Sequence, residues 1–104
     1  MLVKGEAGIG IASVPIVARG ASAWAASRVT QIAHQYDCTR PAGRVTRIDG
    51  VTASELVYPD CFGYFDAIEA AHGGPGYDVY LLEPEKNAKD IETFRAAVAS
   101  FRFG

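Results

Sequence analysis

Histidine, methionine, tryptophan and cysteine are all scarce in this sequence: two His, one Met, one Trp and two Cys among 104 residues. His34 and His72 are too few and too separated to argue for a zinc site. Cys38 and Cys61 are too widely spaced for a C-x-x-C redox or zinc pair. They are either two independent reduced thiols or one disulfide closing a mid-sized loop, worth about 3 kcal/mol if unstrained. The redox compartment would decide between these, and the sequence does not disclose it. A dominant charge is missing as well. Ten Lys and Arg stand against twelve Asp and Glu, a net charge of -2. No excess positive field attracts a phosphate backbone, which argues against nucleic acid as a partner. No apolar run approaches the ~20 residues that a membrane span needs.

What is present is a globular balance, with 49% hydrophobic and 21% charged residues. The length suits one domain and is too short for two. The N-terminus imitates a signal peptide: Lys4, then an apolar stretch from Ile9 to Ala18, then Ala21-Ser22-Ala23. Glu6, Pro15 and Arg19 interrupt that pattern, so the segment reads as a strand. On this reading the chain as given is cytoplasmic, with secretion the alternative if the N-terminus is truncated.

Hydrophobic periodicity gives the element order. Ile9 to Val17 is rich in β-branched residues and reads as a strand ended near Pro15. Ser22 suits the cap of a helix from Ala23. Its apolar face is Ala25, Val29, Ile32, Ala33 and Tyr36; Arg28, Gln31 and Gln35 fall on the other side, and Trp24 lies off the stripe. Residues 37–43 read as a loop. Ile48-Asp49-Gly50-Val51 places Asp-Gly between β-branched residues, the signal of a tight hairpin. Pro59-Asp60 predicts a further turn. Residues 62–72 are contested, because Ala67-Ile68-Glu69-Ala70-Ala71 has high helix propensity; the aromatic start and the flanking strands favour a strand. Gly73-Gly74-Pro75-Gly76 reads as a turn, and Tyr77 to Leu82 as a strand. Asn87 caps a last helix with Asp90 in its first turn and Ile91, Phe94, Val98 and Phe101 on one face. The expected fold is α+β in the order β-α-β-β-β-β-α, its later strands an antiparallel meander with the helices covering one face.

Motifs with catalytic potential are incomplete. His72-Gly73-Gly74-Pro75-Gly76 resembles the oxyanion-hole segment of the proline iminopeptidase group of α/β-hydrolases. That chemistry needs a later G-x-S-x-G elbow. The nearest match, Gly20-Ala21-Ser22-Ala23-Trp24, lacks the last glycine and comes earlier in the chain. Cys61, Asp66 and His72 form a conceivable thiol-based set. On an extended strand Asp66 and His72 share a face while Cys61 points to the other. Simpler roles are a buried or disulfide-bonded Cys61, and Asp66 and His72 on a solvated strand edge. Gly8-x-Gly10 opens no helix and is no phosphate loop. Glu83, Glu85, Asp90 and Glu92, mixed with Lys86 and Lys89, read as a solvated turn and cap, not a calcium loop.

Several segments, in order, resemble the PsbP/Mog1-like superfamily, particularly its small actinobacterial-type members. They are Ser22-Ala23-Trp24-Ala25, Ile48-Asp49-Gly50-Val51-Thr52-Ala53, Cys61-Phe62-Gly63-Tyr64-Phe65, His72-Gly73-Gly74-Pro75-Gly76-Tyr77, Phe94, and Ser100-Phe101-Arg102-Phe103. The resemblance implies an α-β-α sandwich around an antiparallel sheet and a binding role rather than catalysis. It also implies that the family's opening strands are missing here, leaving an edge or core face that a dimer or further chain would cover. The expectation is therefore a non-enzymatic domain that binds a protein partner or a small ligand. The alternatives are a small hydrolase-like enzyme using His72 with Cys61 or Asp66, and a structural homodimer. Trp24, His72 and Tyr77 are the candidates for lining a pocket. No cofactor or metal is expected.

Overall fold

The computed structural model describes residues 8–15, 20–36, 38, 41–61 and 63–103. Lys4, Glu6, Val17, Arg19 and Phe62 lie outside the described residues, as do the side chains of Pro15, Tyr36 and Asp60. The elements follow the predicted order: β1 (Gly8–Pro15), α1 (Gly20–Tyr36), β2 (Ala42–Ile48), β3 (Val51–Cys61), β4 (Gly63–Ala71), β5 (Pro75–Glu83) and α2 (Ala88–Ser100). The strands make one sheet in the order β1-β5-β4-β3-β2, and every pairing is antiparallel.

The contested segment is β4, the middle strand of five. From Tyr64 to Ala70 every residue is buried, because both faces of this strand are covered. That is why its helix propensity loses: a helix here would leave β3 and β5 without a shared neighbour, and ladder bonds to two strands outweigh a few tenths of a kcal/mol per residue. The alternation along β4 sorts its side chains into two layers. Tyr64, Ile68 and Ala70 join Ile48, Ala53, Val79, Leu81 and the fully buried Phe94 beneath α2. Phe65 and Ala67 join Ala25, Ile32, Leu56, Tyr58 and Cys61 beneath α1. The two helices therefore lie on opposite faces of the sheet, not on one. The reason is arithmetic of the pleat: a strand apolar at both odd and even positions has two faces to bury.

Local chemistry explains the turns. Asp49 (φ 49°) and Gly50 (φ 74°) both take the left-handed conformation that the two-residue hairpin demands. Gly73 and Gly74 do the same between β4 and β5, where His72 N–H donates to Pro75 O at 3.1 Å. Strand β5 thus starts at Pro75, two residues earlier than the composition suggests. The turn expected at Pro59-Asp60 is instead strand: β3 runs on to Cys61, with a register irregularity between Tyr58 and Cys61. Proline is tolerated there because an interrupted ladder asks for no N–H. The Asn87 cap is as expected, its side chain accepting from Lys89 N and Asp90 N at 3.0 and 3.1 Å. Helix α1 starts at Gly20, so Ser22 is an exposed residue of its first turn and not its cap.

Candidate functional site

Among the described residues, five acidic side chains are buried: Glu55, Asp66, Glu69, Asp78 and Glu83. Asp66 and Glu83, expected on solvated edges and turns, are 0% and 2% exposed. Asp66 is buried because β4 is a central strand; Glu83, at the end of β5, is roofed by the start of α2. A charge removed from water needs partners; for Glu55, Asp66, Glu69 and Asp78 each helix supplies one arginine, and β2 adds Arg44.

Beneath α1, Arg28 reaches Asp78 Oδ2 at 2.9 Å and Glu69 Oε2 at 3.7 Å. Periodicity places Arg28 on the outer side of the helix; it turns inward because Trp24, four residues earlier, is also buried and carries the guanidinium over its ring at 6.0 Å. Burial pushes the Glu69 carboxyl up to about 9, with Asp78 adding to the shift against the pull of Arg28. Burial likewise raises Asp78, to about 6. Burial and then the charge of Glu69 raise the Tyr58 hydroxyl.

Beneath α2, Glu55 is gripped at both oxygens, by Arg44 Nε on Oε1 and by Arg95 Nη1 on Oε2, each at 2.7 Å. Arg95 Nη2 also approaches Asp66 Oδ2 at 3.4 Å. Burial opposes the charged form of Glu55, but the bond from Asp66 and the two guanidiniums outweigh it and hold this carboxylate below its ordinary range. Burial and the neighbouring Glu55 push Asp66 the other way, to about 8. At neutral pH the pair holds one proton, mostly on Asp66, and the four groups carry a net positive charge.

Of these four groups, Arg95 also borders a groove. An open groove of about 520 Å³ lies between the β2–β3 hairpin and the C-terminal half of α2. It is lined by Thr46, Arg47, Asp49 and Gly50 from the hairpin side and by Arg95, Val98, Ala99 and Arg102 from the helix side. Arg47 is braced on Gly50 O at 2.6 Å. Arg102 donates to Phe101 O at 2.7 Å and lies 3.6 Å from Asp49 Oδ1. Asp49 in turn accepts from Phe103 N–H at 3.0 Å, which ties the hairpin tip to the chain beyond α2. A second cavity, of about 210 Å³, is lined by Gly8, Ile9, Leu81, Glu83, Asp90 and Thr93. Burial, then Asp90, pushes Glu83 up to about 7 there.

The residues singled out from sequence take other places. Cys38 and Cys61 are joined by a disulfide. Cys61 belongs to the layer beneath α1, whereas Asp66 faces α2 and the exposed His72 stacks on Phe103 at 4.5 Å. The three are not brought together. Trp24 Nε1–H donates to Tyr77 O at 3.0 Å, and the Tyr77 ring meets Phe103 edge-on at 5.0 Å. Trp24, His72 and Tyr77 are thus packing residues around the β4–β5 turn, and none of them lines either cavity described. His34 is exposed on α1, and among the described residues no group of three or more His, Cys, Asp or Glu is placed to hold a metal. No helix among them is long and apolar enough to cross a membrane.

The groove was missed because its arginines come from three separate segments. A signal existed: Asp66, Glu69 and Asp78 stand in strands that are mostly apolar, and a charge in a buried strand requires a counter-charge from elsewhere. Comparison with protein-family models, with curated proteins and with solved structures finds no match to this chain.

Proposed function

We propose that the chain is a non-enzymatic binding domain whose ligand surface is the groove between the β2–β3 hairpin and α2. The observation that carries this reading is the lining: three arginines around a recess whose volume falls in the range of small-molecule sites. The resemblance of several sequence segments to the PsbP/Mog1-like superfamily, known for binding roles rather than catalysis, supports the same reading, as does the layering of helices on both faces of the sheet. Thiol catalysis is disfavoured, since Cys61 Sγ is engaged with Cys38 and lies across the sheet from Asp66 and His72. The disulfide favours an oxidising compartment.

The test is amide chemical-shift mapping with a chemically mixed fragment set. Hits that move Thr46, Gly50, Val98 and Ala99 together support the groove as the ligand surface. Hits that consistently map elsewhere, or none at all, would remove it.

A second reading, assembly through β1, is favoured by one observation. Ile9 and Ile11 are 39% and 59% exposed on a strand at the sheet's edge that carries no charged residue. Sedimentation of a monomer at millimolar concentration would dispose of it.

A further inference from the structure

We infer that the groove, taken as the binding surface proposed above, receives a tetrahedral oxyanion: the phosphate or sulfate group of a small ester. Three arginines line it, from β2, from the middle of α2 and from the segment after α2, and Asp49 is the one acidic residue of the lining. Groups arriving from three backbone positions match a group that offers three oxygens; a carboxylate offers two. Guanidinium is the side chain best suited to such oxygens, because its planar fork gives paired, charge-assisted hydrogen bonds.

The arginines are also pre-positioned. Arg47 is held by the hairpin carbonyl of Gly50, and Arg95 by the buried carboxylates Glu55 and Asp66. Little side-chain entropy remains to be lost when an anion arrives. Glu55 is itself divided between Arg95 and Arg44. Asp49 is fixed by Phe103 N–H and accepts a hydroxyl of the ester, while Val98 offers an apolar contact for its body. The groove is too large for a bare inorganic ion to fill, which favours an ester over the free ion.

The experiment titrates sulfate, inorganic phosphate, phenyl phosphate and acetate into the oxidised chain, following the same amide resonances. Expected are saturable shifts at Thr46, Arg47 and Val98 with phenyl phosphate, weaker binding of the inorganic ions and none of acetate. R47Q and R102Q, on two different segments with exposed side chains, each weaken binding about tenfold. Retained spectral dispersion in each variant shows that it is folded. Inorganic ions binding as tightly as the ester would make the free ion the ligand and overturn the ester assignment. Acetate equal to sulfate, or anion binding unchanged in both variants, would overturn the oxyanion site itself. Neutral or cationic fragments mapping to the groove without any anion response would sink this inference and leave the binding reading standing. No ligand of any kind at the groove would sink both.

Discussion

Glu69 and Asp78 stand directly opposite each other across the β4–β5 pairing, and Arg28 reaches both from α1. Two carboxylates facing one guanidinium leave a surplus negative charge in a dry layer, and the pair resolves it by keeping a proton. A proton bound more tightly in the folded than in the unfolded chain makes stability depend on pH.

The sign follows from the direction of the shifts. Glu69, raised to about 9, and Asp78, raised to about 6, bind protons in the folded state at pH values where the unfolded chain has released them. Their stabilising contribution is complete below their ordinary carboxylate range and is lost as pH rises through 6 and then 9. Asp66 and Glu83 act in the same direction. Glu55, held low, acts in the opposite direction and matters only on the acid side. Urea midpoints should therefore fall from pH 5 to pH 9, and E69Q should flatten the alkaline part of that slope. A wild-type midpoint that rises over this interval would refute the assignment.

Removal of Arg28 should be costly. R28A leaves Glu69 and Asp78 buried together without their cation and strips a neighbour from Trp24. Breaking a buried pair in this way costs roughly 3–5 kcal/mol. The loss should be largest at high pH, where both carboxyls would otherwise ionise, and smallest near pH 4. Denaturant titration of R28A at the two pH values measures both the size and the trend. A loss of the same size at both would show that packing, not charge, is what Arg28 supplies.

The disulfide closes a sequence separation of 23 residues. Cross-linking a loop of that length stabilises by about 3 kcal/mol, chiefly by restricting the unfolded chain. Replacing both cysteines by alanine should lower the melting temperature by roughly 12–24 °C, given ~4–8 °C per kcal/mol for a domain of this size. Calorimetry of the oxidised protein and the double variant gives the difference. A drop of only a degree or two would mean that the bond adds little to what already packs beneath α1.

Asp66 links the groove to pH. It faces Glu55 on β3, Arg44 on β2, Arg95 on α2 and Tyr64 on its own strand. Ionisation of Asp66 near 8 adds a negative charge beside Arg95 and so competes with any anion in the groove. Sulfate, whose own charge is constant in this range, should bind more weakly at pH 9 than at pH 7. The D66N variant should bind it with little change between the two. A pH dependence that persists in D66N would trace to another group.

The order of elements was legible because each carries its own local signal: Asp49-Gly50, Gly73-Gly74, the Asn87 cap and the Ile91–Phe94–Val98 stripe. What was not legible depends on which face meets what. Arg28 looks like a solvent-facing residue by periodicity, and its inward place depends on Trp24 beside it and on the acids it meets. Pro59-Asp60 carries turn chemistry that a strand irregularity absorbs. The groove is still further from the one-dimensional pattern, since Arg47, Arg95 and Arg102 meet only after the hairpin and α2 have docked on each other.

The disulfide also has a topological effect. The ring between Cys38 and Cys61 contains all of β2 and all but the last residue of β3. A denatured but oxidised chain therefore keeps these two strands on one short tether, whereas β1 must find β5 across most of the sequence. The hairpin that carries Arg44 and Arg47 is thereby restrained at both ends, by the Asp49-Gly50 turn and by the disulfide. In a reduced chain that advantage shrinks to what the Asp49-Gly50 turn alone provides.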